Sequence, residues 1–300
     1  MFDPIPDQTT PQHSVFDEPT QYRLKVRRFS RVPAEFTVQQ VNFDRDVEGY
    51  RRAYENGDSS WGMGKKTRSP GSLLNDESRE RAQRRAKTQV RLSVIELAPN
   101  ALVTFTTRET MSIDALLWCW QYFTRMMREA GIDFEYVCVP ERHPANPNHF
   151  HLHAAYRGET NFKNLRRMWH VALEARHGRR INKTLYGPES PGNIDVQPVK
   201  ARESVRRVRK IAKYISKYIT KDLISEFNRK RYWPSKGVNL AAAAVFWLTS
   251  INQVDAIREA CRLLGQWDEE CNLCPQTMFR PSERVMWCAI DPLNTPPPPF

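Results

Sequence analysis

The 300-residue chain predicts an α+β fold in which an antiparallel sheet carries helices packed on one face. Alternating, β-branched segments and segments with helical apolar spacing follow one another in the order β, α, β-β, α, β, α. The two adjacent strands flank a turn rich in Pro and Asn, so they form a hairpin and pair antiparallel. Each principal helix has one apolar stripe, as a helix lying on a sheet requires.

Residues 1–73 are rich in Pro, Gln, Asp and Ser with weak apolar periodicity, and are expected to be a poorly ordered or peripheral N-terminal segment. Within them, Gly62, Gly64, Lys65, Lys66 and Thr67 suggest a phosphate loop. The spacing fails, because Ser59 stands where the first Gly belongs and Lys66 where the hydroxyl belongs, so no nucleotide triphosphatase is expected. Residues 77–87 read as a basic helix with Arg79, Arg81, Arg84, Arg85 and Lys87. Their continuation over 90–97 fits either helix or strand.

The main domain is expected over residues 74–240. Residues 102–107 alternate and are β-branched, hence a strand. Ser112 can cap a helix over 113–130, whose Leu116, Leu117, Trp120, Phe123 and Met127 recur at helical spacing, with Gly131 ending it. Strands over 133–141 and 149–157 make the hairpin. A helix over 161–175, a strand over 193–199 and a helix over 203–224 follow. Residues 241–300 read as a C-terminal helical and strand extension, with a helix near 253–265, a strand over 284–290 and a Pro-rich tail.

The formal net charge is +12 and the sequence pI near 9.6, which favours a polyanionic partner, nucleic acid first. No stretch approaches the roughly 18 continuous apolar residues of a membrane span, and the N-terminus lacks signal-peptide character. The six cysteines are too sparse for a disulfide framework and fit a reduced, cytoplasmic compartment. Cys271 and Cys274 have zinc-knuckle spacing, but a structural zinc needs four ligands, and Cys261 and Cys288 complete the set only if the fold brings them together.

On a strand, His149, His151 and His153 project from one face, and Phe150 and Leu152 from the other. Imidazoles aligned in this way suit a divalent metal, and a carboxylate beside them makes the site acceptable to Mg or Mn. Glu141, on the facing arm, is the candidate, with His151 and His153 as the preferred pair and His149 possible. Simple pairing across a six-residue loop sets Glu141 opposite Phe150, on the wrong face; a one-residue bulge or an odd loop sets it among the histidines.

On the last helix of the domain, Tyr214, Lys217, Tyr218 and Lys221 fall at i, i+3, i+4 and i+7, one stripe beside the apolar stripe of Val208, Ile211, Ile215 and Ile219. Arg202, Arg206, Arg207, Arg209, Lys210 and Lys213 add positive charge. Nearby ammonium groups favour the phenolate of a tyrosine, the form that can attack a phosphate. Arg229 and Arg231, beside Tyr232 and Trp233, suit single-strand binding by phosphate contact and base stacking.

The ordered set resembles the HUH endonucleases, and within them the rolling-circle replication initiators of phages and plasmids. Residues 139–142 followed by 151–158 are similar to the family's metal hairpin, residues 104–107 to its first strand motif, and residues 212–218 to its double-tyrosine form. The resemblance covers roughly residues 76–240. It implies a five-stranded antiparallel sheet flanked by helices, Mg or Mn as the working metal, and nicking of single-stranded DNA at a replication origin. It further implies a 5′-phosphotyrosine intermediate and rejoining of the displaced strand. Tyr214, Tyr218, Lys217 and Lys221 are then the catalytic candidates. No helicase motif follows, so a host helicase is an expected partner, and no membrane is. A relaxase or transposase of the same superfamily, a non-catalytic DNA-binding regulator of the same fold, and a metallohydrolase with water as nucleophile are the alternatives.

Overall fold

The computed structural model of the chain describes residues 21–41, 76–143, 145–158, 161–198, 204–221, 231–250, 252–264, 277–281 and 285–290. In chain order the elements are β1 (Gln21–Arg27), β2 (Glu35–Val41), α1 (Asp76–Leu97), β3 (Ala101–Thr107) and α2 (Ile113–Glu129). Next come β4 (Phe134–His143), β5 (Asn146–Gly158), α3 (Phe162–Arg176), β6 (Gly192–Pro198) and α4 (Ser204–Lys221). The last are β7 (Trp233–Pro234), β8 (Ala244–Leu248), α5 (Gln253–Leu263), β9 (Thr277–Pro281) and β10 (Val285–Ile290). The chain divides into two compact units.

The larger unit holds α1 to β7 and is built on a five-stranded antiparallel sheet in the order β6-β3-β5-β4-β7. An α+β architecture is thus present. The expectation of helices on one face is corrected: the sheet is covered on both. On one face, Val103, Phe105, Cys138, Leu152, Ala154, Tyr156 and Ile194 pack with α2 and α3, through Leu116, Trp120, Phe123, Leu165, Trp169 and Leu173. On the other, Leu102, Val137, Val139 and Ala155 pack with α1 and α4, through Val90, Val94, Ile95, Val208, Ile211, Ala212, Ile215 and Ile219. Consecutive apolar residues such as Val137, Cys138 and Val139 are what burial on both faces requires, since neighbours along a strand point opposite ways.

Local chemistry explains the element ends. The Ser112 side chain accepts a hydrogen bond from the Ala115 amide at the start of α2. Gly131, at φ +65°, lets the chain turn back after that helix, its amide donating to the Arg128 carbonyl. Residues 90–97, open between helix and strand, continue α1, because Val90, Val94, Ile95 and Leu97 then share its buried side.

In the smaller unit, residues 21–27 and 35–41 of the segment expected to be poorly ordered or peripheral form strands β1 and β2. β1 and β2 lie in a second antiparallel sheet, order β8-β1-β2-β10-β9, with strands from the C-terminal part of the chain. Tyr22, Leu24, Val26, Phe36, Val38, Met286 and Cys288 are buried there, and α5 packs on β1, β2 and β8. Residues 59–67, with the failed phosphate-loop spacing, Cys271, Cys274 and the Pro-rich tail lie outside the described residues. Cys261 and Cys288 are buried, and no helix among the described residues is long and apolar enough to cross a membrane.

Candidate metal and tyrosine site

The site is built on the β4–β5 hairpin. The ladder pairs Val139 with His153 and Glu141 with His151, and its register shifts between Arg142 and His143. That irregularity at the turn supplies the offset that brings Glu141 onto the histidine face. Directly opposed residues share a face, so Glu141 and His151 meet, and His153 follows two residues along the same side. The alternate residues Phe150 and Leu152 point into the α2/α3 core.

Three donor atoms converge as a result. Glu141 Oε2 lies 2.9 Å from His151 Nε2 and 2.7 Å from His153 Nε2, and the two Nε2 atoms are 3.1 Å apart. His153 is buried, and the Glu141 and His151 side chains are only 13% exposed. This cluster could hold a metal ion.

His149 is not in the cluster. It lies beyond the regular ladder, its ring 5.7 Å from that of His143 in the turn. Burial, with His143 and His151 nearby, holds its imidazole below the ordinary histidine range.

Helix α4 brings the tyrosines to the same place. Tyr218 lies flat on His153, ring centroids 4.2 Å apart and planes within 8°. Tyr214 stands edge-on to Tyr218 at 5.1 Å and to His153 at 6.3 Å. The stripe expected to run along the rim is split by it. Tyr218 is 6% exposed and packs with the apolar face of α4, whereas Tyr214 is 42% exposed. Four residues of helix overshoot a full turn by about 40°, which carries Tyr218 toward Ile215 and Ile219. Burial raises the Tyr218 phenol well above its ordinary range, and Tyr214 and the Glu141 carboxylate push it the same way.

The basic candidates sort by exposure. Arg206, Lys210, Lys213 and Lys217 are exposed along the outer side of α4. Arg207 and Arg209 are half-buried, and Arg209 donates to the Pro33 carbonyl at 3.3 Å. Lys221 ends the helix, its side chain outside the described set; Arg229 also lies outside it, and Arg231 is half-buried. One contact escaped the sequence. Thr104 on β3 pairs with His153, and its hydroxyl lies 3.1 Å from His153 Nδ1. Only the strand pairing reveals that neighbour.

Comparison of the chain with family models, curated proteins and solved structures finds no match.

Proposed function

We propose that this chain is a metal-dependent enzyme that nicks single-stranded DNA through a tyrosine and rejoins it, as HUH initiators of rolling-circle replication do. The observation that carries the proposal is the meeting of two independent motifs. Three metal-type donors converge on the hairpin, and a tyrosine pair from a basic helix lies against one of them. Neither motif alone points to phosphotyrosine chemistry; side by side they supply a phosphate site and its nucleophile.

Glu141, His151 and His153 would hold the ion, Mg or Mn by the mixed oxygen and nitrogen donor set. Once bound, such an ion neutralises charge on the phosphate oxygens and orients the group. The remaining work belongs to the chain. Lys213 and Lys217, exposed beside Tyr214, attract the DNA backbone to it. The Tyr214 hydroxyl loses its proton to solvent, and its oxygen bonds to phosphorus. The bond from phosphorus to the 3′ oxygen breaks, and that oxygen leaves and takes a proton from solvent to become a free 3′-hydroxyl. The 5′ end stays on the tyrosine until a 3′-hydroxyl attacks the phosphotyrosine and releases the phenol. Tyr214 makes the first cut in this scheme because it is the exposed ring, and Tyr218 is its alternate.

The burial of Tyr218 favours one rival, a metallohydrolase with water as nucleophile and the tyrosines structural. Incubation with circular single-stranded DNA and Mn, followed by denaturation, separates the two. A covalent adduct that survives in Tyr214→Phe or Tyr218→Phe but vanishes in the double variant is the expected result. Cleavage without any adduct rejects tyrosine chemistry, and binding without cleavage leaves a DNA-binding regulator. An adduct restricted to origin-bearing circles points to an initiator rather than a relaxase or transposase.

A further inference from the structure

We infer that Thr104 is a positioning residue for the metal site, fixing the tautomer and ring orientation of His153; the inference rests on the metal-binding part of the function proposed above. Strand pairing sets Thr104 opposite His153, on the face that carries Glu141 and His151. Its Oγ1 lies 3.1 Å from His153 Nδ1, while His153 Nε2 faces Glu141 at 2.7 Å and His151 at 3.1 Å. The two ring nitrogens therefore look in opposite directions, one at the donor cluster and one at the hydroxyl.

A neutral imidazole carries one ring proton, and the nitrogen that binds a metal must offer its lone pair. For Nε2 to serve as ligand, the proton belongs on Nδ1, where it donates to the Thr104 oxygen. His153 is 5% exposed, so water does not readily replace that acceptor. With the acceptor gone, the buried Nδ1–H loses this partner, which disfavours the tautomer the metal needs. His153 also carries the Tyr218 ring on its face, so a ring that rotates disturbs metal and tyrosine together. Of the two histidine ligands, His153 is the one that ties the hairpin to the tyrosine helix.

Two variants of the full chain separate the hydroxyl from the packing. Thr104→Val keeps the β-branched shape and removes the acceptor. Thr104→Ser keeps the acceptor and removes a methyl. Mn binding is measured by calorimetry, with a thermal melt by circular dichroism to verify the fold. Thr104→Val is expected to bind Mn at least about tenfold more weakly than the natural chain, and Thr104→Ser within about twofold of it. In Zn-loaded protein, proton NMR is expected to give a slowly exchanging downfield His153 Nδ1–H signal in the natural chain and in Thr104→Ser, lost in Thr104→Val. Loss of packing alone would not spare the Ser variant in this way. Equal Mn affinity in Thr104→Val and the natural chain overturns the inference and leaves the metal site standing. So does a Ser variant as weak as the Val variant. A natural chain that binds no Mn overturns both.

Discussion

His153 is held on three sides: Glu141 and His151 at Nε2, Thr104 at Nδ1 and the Tyr218 ring on its face. A side chain so constrained cannot wander between rotamers, and that pre-organisation is what a metal ligand needs. Glu141 has a different duty. It contributes the only carboxylate of the three-residue cluster, and its Oε2 sits within 3 Å of both imidazole nitrogens. Replacing it by Gln keeps the shape and removes the charge that two neutral imidazoles cannot supply. Glu141→Gln is therefore expected to lose more than about 100-fold in Mn affinity, since even outer-shell partners cost 10–100-fold when removed. Calorimetry reads this directly. An affinity within a few-fold of the natural chain would mean that the carboxylate is not a ligand and that the cluster is a hydrogen-bonded histidine pair.

At the scale of elements, the site depends on how firmly α4 docks. Ile215 is fully buried between α4 and the sheet, one residue from Tyr214 and three from Tyr218. Truncating it to Ala leaves a cavity beneath the tyrosines and should cost about 2–5 kcal/mol, whereas Lys213→Ala on the outer side should change stability by no more than about 0.5 kcal/mol. Denaturant titration of both variants checks the contrast, and equal losses would refute the docking face assigned here. The face itself was legible in the sequence, because Val208, Ile211, Ile215 and Ile219 keep helical spacing. So was the hairpin, from its turn residues. The Glu141 register was not, because it depends on a backbone irregularity after Arg142 that no residue type announces. Two-sided burial of the sheet was written in the consecutive apolar pairs Leu102, Val103 and Ala154, Ala155, yet single-face packing was the expectation. β1 and β2 were missed for a different reason. Their alternation, as in Tyr22, Leu24 and Val26, is clean, but two of their sheet partners, β8 and β10, lie more than 200 residues further along the chain.

For the molecule as a whole, the +12 charge matters less by its size than by where the exposed part of it lies. On α4, Arg206, Lys210, Lys213 and Lys217 recur every three or four residues on the outward side, and Tyr214 opens among them. A DNA strand tracking that ridge would meet the half-exposed tyrosine without leaving the positive field. Binding through phosphates alone is sequence-independent and releases counterions, so its logarithm falls linearly with the logarithm of salt, by about 0.7 per phosphate neutralised on a single strand. Arg206 lies about two helical turns from Tyr214 and Lys210 about one, both on the outward side. The double variant Arg206→Ala, Lys210→Ala is therefore expected to reduce the salt slope by about 1.4 and to weaken random and origin-bearing oligonucleotides alike. Fluorescence anisotropy across a salt series, with both oligonucleotides, measures slope and selectivity together. An unchanged slope would remove α4 from the DNA path. A loss confined to one sequence would mean that these side chains read bases instead of phosphates.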